Sequence, residues 1–120
     1  MDTRIKVTDY EITPDVSNYL DERLKAIEKI LQADDGARVE VELGKSAGHS
    51  RHGAGQWFIE LNVITKGDRF RTKVHAETLN ESIDEAKDEM VRILRRERQL
   101  HRRMWKKGAS SVKKFLRFEK

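Results

Sequence analysis

Four short segments of the chain alternate apolar and polar residues at period two, and two longer ones repeat apolar residues every three or four positions. "RIKVT" (4–8) sets Ile5 and Val7 on one face and predicts a short strand. "ITPDVSNYLDERLKAIEKIL" switches to helical period: Thr13 caps, Pro14 suits the first turn, and Val16, Leu20, Leu24, Ile27 and Leu31 form one apolar stripe, which "DDG" at 34–36 ends. Three alternating segments follow, 37–43, 57–64 and 69–76, with Val39, Val41 and Leu43, then Trp57, Ile59, Leu61 and Val63, then Phe70, Thr72 and Val74 on the side expected to be buried. Their other faces are polar, as in an antiparallel meander covered on one side only. "TKGDR" supplies a Gly-containing turn between the last two strands.

The final helix opens on a capping box, Thr78 and Glu81, and runs over 79–107. Leu79, Ile83, Ala86 and Met90 share one narrow arc that should lie on the sheet, and Glu97 falls in the same arc. Packing against the sheet should therefore stop near Glu97. Length agrees: such a helix spans roughly 45 Å, whereas an eight-residue strand covers about 27 Å. The expected fold is α+β, a two-layer β-α-β-β-β-α arrangement with two helices on one face of a four-stranded sheet and the last third of the second helix overhanging.

That overhang is where the charge lies. The net charge of +4 divides into −6 over residues 1–91 and +10 over residues 92–120. "VRILRRERQLHRRMWKKG" (91–108) holds eight Arg or Lys against one acid, Glu97, too many for a favourable interaction with a helix C-terminus, which fades within a turn. Arg92, Arg95, Arg96, Arg102, Arg103, Lys106 and Lys107 occupy one continuous arc, while earlier on the same face stand Glu81, Asp84, Glu85, Asp88 and Glu89. A cationic end of this kind points to a polyanion, and the excess of Arg, whose planar fork suits bidentate phosphate contact, points to nucleic acid. The apolar face of the overhang, Leu100, Met104 and Trp105, is thin and broken by Glu97 and His101, which argues against a membrane surface. With no obvious recognition helix for a major groove, RNA shape and phosphate recognition fit better than sequence-specific DNA reading.

The chain has 120 residues and no cysteine, so thiolate zinc sites, disulfides and Cys nucleophiles are excluded. One domain over 1–107 followed by a basic tail over 108–120 is the expected division. "MDTRIKVTDYEITP" has no apolar core of a signal peptide and no long apolar run follows, which predicts a cytoplasmic protein. "GKS" (44–46) lacks the earlier glycine of a phosphate loop, since Val39 stands at that position. His49 and His52 have no third ligand in view, and no pair of carboxylates is placed for acid/base work, so no metal, cofactor, small-molecule substrate or catalytic residue is expected. The Gly-rich stretch 44–56 contains Gly53-Ala54-Gly55-Gln56, a broken form of the Gly-Gly-Gln loop of peptidyl-tRNA-hydrolysing rescue factors. A hydrolase using Gly55 and Gln56, and a generic structured-RNA-binding module, are the alternative readings.

"EITPDVSNYLDERLKAIEKI" (11–30), "FIELNVITKGDRFRTKVHAE" (58–77) and "SIDEAKDEMVRILRR" (82–96) together resemble the ribosome hibernation-promoting factors, the family of ribosome-associated inhibitor A and the sigma-54 modulation proteins. The resemblance runs from residue 4 to about 104. It implies a non-enzymatic protein that binds the small ribosomal subunit and its RNA in the channel for messenger and tRNA, blocks translation and preserves idle ribosomes under stress or in stationary phase. Carried over by position, Arg92, Arg95 and Arg96 are the implied RNA contacts, with Arg23 and Lys25 on the first helix. Arg102, Arg103, Lys106 and Lys107 rest on charge and periodicity. Glu89 departs from the Lys common in the family, and 44–56 is longer than in compact members. Long members add a C-terminal domain that pairs ribosomes; this sequence has no such segment, so a monomer off the ribosome is the expectation.

Overall fold

The structure is a computed structural model that describes residues 2–32, 36–46 and 56–106, the last three as backbone only. Lys107, the tail over 108–120, and His49, Arg51, His52 and Gly55 of the Gly-rich stretch lie outside the described residues. The order of elements is β1 (Asp2–Thr8), α1 (Pro14–Ile30), β2 (Arg38–Lys45), β3 (Trp57–Ile64), β4 (Arg69–Ala76) and α2 (Leu79–Lys106). The four strands make one sheet in the order β1-β2-β3-β4.

The two helices start where local chemistry provides for their free N–H groups. Thr13 Oγ1 accepts from the Val16 N–H at 3.3 Å, with Pro14 in the first turn of α1, and Thr78 Oγ1 accepts from the Glu81 N–H at 3.1 Å. Leu20, Leu24 and Ile27 of α1 meet Leu79, Ile83, Ala86, Met90 and Leu94 of α2 over the apolar side of β2, β3 and β4. The stripe and the alternation thus converge on one core, in which Val39, Leu43, Ile59 and Val63 are fully buried.

β2, β3 and β4 form the antiparallel meander, but β1 runs parallel to β2, with Ile5 beside Val41 and Val7 beside Leu43. Alternation carries no information on strand direction; α1 does, because a helix between two strands returns the chain to the end where it began. β1 is also an edge strand, and Ile5, although it points to the helix side, stays 42% exposed. On the open side Phe58 is buried under Lys73, whose ammonium lies 5.4 Å from the ring centroid, and beside His75.

Glycine is required at one point of the β1–β2 ladder. Gly44 faces Thr8, and a Cβ at Gly44 would collide with the Thr8 carbonyl oxygen, a backbone atom with no freedom to withdraw. Gly44→Ala is expected to destabilise the fold by about 1–3 kcal/mol, the usual range for forcing an atom into a packed interior, measured as a lower urea midpoint. An unchanged midpoint would mean that β1 is not held against β2 at this position.

Candidate nucleic-acid interface

α2 follows β4 after a two-residue turn and runs back over β4 and β3 beside α1. From Leu79 to Leu94 it advances about 22 Å, close to the roughly 23 Å from Ala76 back to Arg69 along β4. Leu94, 3% exposed, is thus the last buried residue of α2 among those whose side chains are described, and stands at the far end of the sheet. Beyond it the buried stripe ends: Glu97 is half-buried and paired with His101 at 3.4 Å, and Leu100 is 48% exposed. The 12 residues that follow Leu94 in α2 extend about 18 Å past the sheet, and the molecule measures 56 × 27 × 22 Å along its principal axes.

Arg92, Arg95, Arg96, Arg102 and Arg103 are all exposed, and none has an ion-pair partner among the described residues. Arg92, Arg95 and Arg96 line one shallow groove along α2 with Asp88, Val91 and Gln99. Lys106 is the last residue of the helix. Acids gather at the positive N-terminal end of α2 and cations at the negative C-terminal end, so the macrodipole favours both, though strongly only in the end turns.

The two candidates on α1 are placed differently. Lys25 Nζ pairs with Glu22 at 3.0 Å. Arg23 Nε donates to Asp84 Oδ1 at 2.9 Å, the Tyr19 hydroxyl donates to Asp84 Oδ2 at 2.7 Å, and the guanidinium carbon of Arg23 lies 4.2 Å from the Tyr19 ring centroid. The three side chains tie α1 to α2 two turns before Arg92 and leave Arg23 partly neutralised. Burial would push the Asp84 carboxyl up, but the Tyr19 hydroxyl and the Arg23 guanidinium outweigh it and hold the group below the usual carboxylate range. The Asp84 bond in turn raises both Tyr19 and Arg23. "YLDER" and "SIDE" lie more than sixty positions apart, and no periodicity links them; only the packing of the helices does.

The open side of the sheet is only weakly cationic, with Arg4, Lys6, Arg38, Arg69, Arg71 and Lys73 against Asp2, Glu40, Glu42 and Glu60. Glu40, Glu42 and Glu60 occupy its middle, with Glu60 held low by hydrogen bonds from Asn62 at 3.0 Å and Arg71 at 2.8 Å, partly offset by burial. Arg4 pairs with Asp2, and Arg38 with Glu40. Among the described residues no helix is long and apolar enough to cross a membrane.

A sequence model of the Sigma 54 modulation protein / S30EA ribosomal protein family matches residues 3–102, which covers the sheet, both helices and most of the overhang. The chain belongs to this family. Two solved structures share the fold: the Protein Y N-terminal domain of Thermus thermophilus, 22% identical over 80% of this chain and 98% of that one with a TM-score of 0.65, and a ribosomal subunit interface protein from Coxiella burnetii, 10% identical over 82% and 99% with a TM-score of 0.68. No curated protein matches the sequence directly. The resemblance stated from residues 11–30, 58–77 and 82–96 is therefore confirmed.

The Tyr19–Arg23–Asp84 contact makes a pH-dependent contribution whose sign is fixed. Because the folded Asp84 titrates below its unfolded value near 3.9, the stabilisation is complete above that pH and is lost as pH falls through the folded value. Asp84→Asn is expected to cost about 1 kcal/mol at pH 7, discounted for a carboxylate that is nearly half exposed. In urea titrations the gap between the two proteins should close below about pH 4; a gap that is constant with pH would contradict the assignment.

Proposed function

We propose that this domain is a hibernation factor that binds small-subunit ribosomal RNA in the channel for messenger and tRNA and blocks translation without catalysing a reaction. The observation that carries the reading is the unpaired Arg arc on the free end of α2, in a chain of the S30EA family. A solved structure with the same fold is named a ribosomal subunit interface protein, which supports a place on the ribosome.

The mechanism follows from shape and charge. A helix with side chains is about 10–12 Å across, similar in girth to a strand of nucleic acid, and this one projects from a rigid two-layer body. Arg92, Arg95 and Arg96, then Arg102, Arg103, Lys106 and Lys107, replace counterions along RNA phosphates, and release of those ions drives binding. The body, too broad to share the channel, excludes messenger and the anticodon ends of tRNA. Arg23 and Lys25, each engaged with a carboxylate, contribute less.

Co-sedimentation with small subunits, large subunits and intact ribosomes over a salt series, with translation read in parallel, tests the proposal. Saturable binding to the small subunit with inhibition is expected. Replacing Arg92, Arg95 and Arg96 together by Gln should flatten the log–log salt slope by about two to three, roughly one per lost phosphate contact. Binding to the large subunit alone, or an unchanged slope in the triple variant, would contradict the assignment. Binding to unrelated structured RNAs as tightly as to the subunit would indicate a generic RNA module instead.

A further inference from the structure

Among the described residues two large apolar side chains are exposed, Leu100 on the overhang and Ile5 on β1. Ile5 faces the helix side, yet the helices leave it uncovered, and it takes no part in the core against which Val7 packs. The opposite edge of the sheet is different. On β4 the helix-side residues Thr72, Val74 and Ala76 are buried, because α2 lies over that strand. β1 is thus the edge that the helix layer does not close. Every second residue on it turns its N–H and C=O outward, with no neighbouring strand among the described residues to receive them.

The two faces of β1 carry different chemistry. Thr3, Ile5 and Val7 point to the helix side, and Arg4 and Lys6 point to the open side. Lys6 has no ion-pair or ring partner among the described residues, and Arg4 pairs with Asp2 of its own strand at 3.5 Å. The inner edge shows which neighbour this pattern accepts. In β2, Val41 and Leu43 stand beside Ile5 and Val7, while Glu40 and Glu42 stand beside Arg4 and Lys6. The outer edge presents the same side chains, so it calls for the same complement: apolar residues on the helix side and carboxylates on the open side.

We infer that the outer edge of β1 is a docking site for an extended segment of another protein, one that alternates apolar and acidic residues and adds to the sheet as a fifth strand. Charge decides between the occupants. Two copies of this chain meeting edge to edge, with their helix layers on one side, set Arg4 against Lys6 when centred on Ile5, or a cation against itself when centred on Arg4 or Lys6. With the layers on opposite sides, Ile5 meets a cation instead. The segment 108–120 of the chain itself carries Lys113, Lys114 and Arg117, the same sign as the edge. An acidic partner is the one that the two cations attract rather than exclude. The site is separate from the Arg arc: β1 lies three strands from β4, about 14 Å across the sheet, and α2 packs on β3 and β4.

The test is amide hydrogen exchange of the full chain, with a peptide of residues 37–45, ARVEVELGK, as the probe. Millimolar peptide should slow exchange at the outward N–H groups of β1, which are open to water in the free chain. The same peptide with Glu40→Lys and Glu42→Lys should give little protection. In the protein, Arg4→Gln with Lys6→Gln should weaken binding of the acidic peptide about three- to tenfold. Thermal denaturation of that variant, expected to match the parent because both side chains are exposed, separates a lost contact from a lost fold. The Arg92/Arg95/Arg96 variant should bind the peptide as the parent does. No added protection of β1, or equal protection by the lysine peptide, would overturn the inference. Protection of β1 that rises with protein concentration in the absence of peptide would also overturn it, by assigning the edge to a second copy.

Discussion

The sheet in this protein offers strands of about 27 Å, and the 28-residue helix that packs on it runs about 42 Å. Nothing in the sheet can cover the difference. The core ends at Leu94 because the strands end there, and residues 95–103 of α2 are exposed or half-exposed. Glu97 in the arc of Leu79, Ile83, Ala86 and Met90 marks the same limit chemically, since a carboxylate is excluded from an apolar interface unless it is paired. The overhang can be long and highly charged only because it takes no part in the core.

Charge follows the same division. Over the body, carboxylates on the helix layer and acids along the middle of the open sheet either pair with cations or face water, and they oppose a polyanion. At the free end the balance reverses. A ligand with many phosphates is thus repelled from the helix layer over the body and drawn to the free end of α2, which orients the domain before any close contact forms. The Tyr19–Arg23–Asp84 contact serves this arrangement from a distance, by fixing α1 against α2 and so the angle at which the overhang leaves the sheet.

Much of this was legible in the sequence because it depends on local period. Alternation located β2, β3 and β4 with the correct buried faces, the apolar stripes located both helices, and Thr13 and Thr78 marked their starts. The end of packing near Glu97 followed from one misplaced charge. What depends on pairing between distant segments was not legible. The parallel direction of β1, the exposure of Ile5 at an edge, and the burial of Phe58 under Lys73 all require knowledge of which strands are neighbours. The engagement of Arg23 by Asp84 likewise arises only once the chain is folded.

The central claim is that contact with RNA is confined to the distal half of α2. Because the chain has no cysteine, single cysteines introduced as Glu85→Cys and Gln99→Cys can each carry an iron chelate that cleaves nearby RNA when bound to the small subunit. The account predicts strong, localised cleavage of small-subunit RNA in the messenger and tRNA channel from position 99 and little from position 85. Equal cleavage from both, or stronger cleavage from position 85, would contradict it.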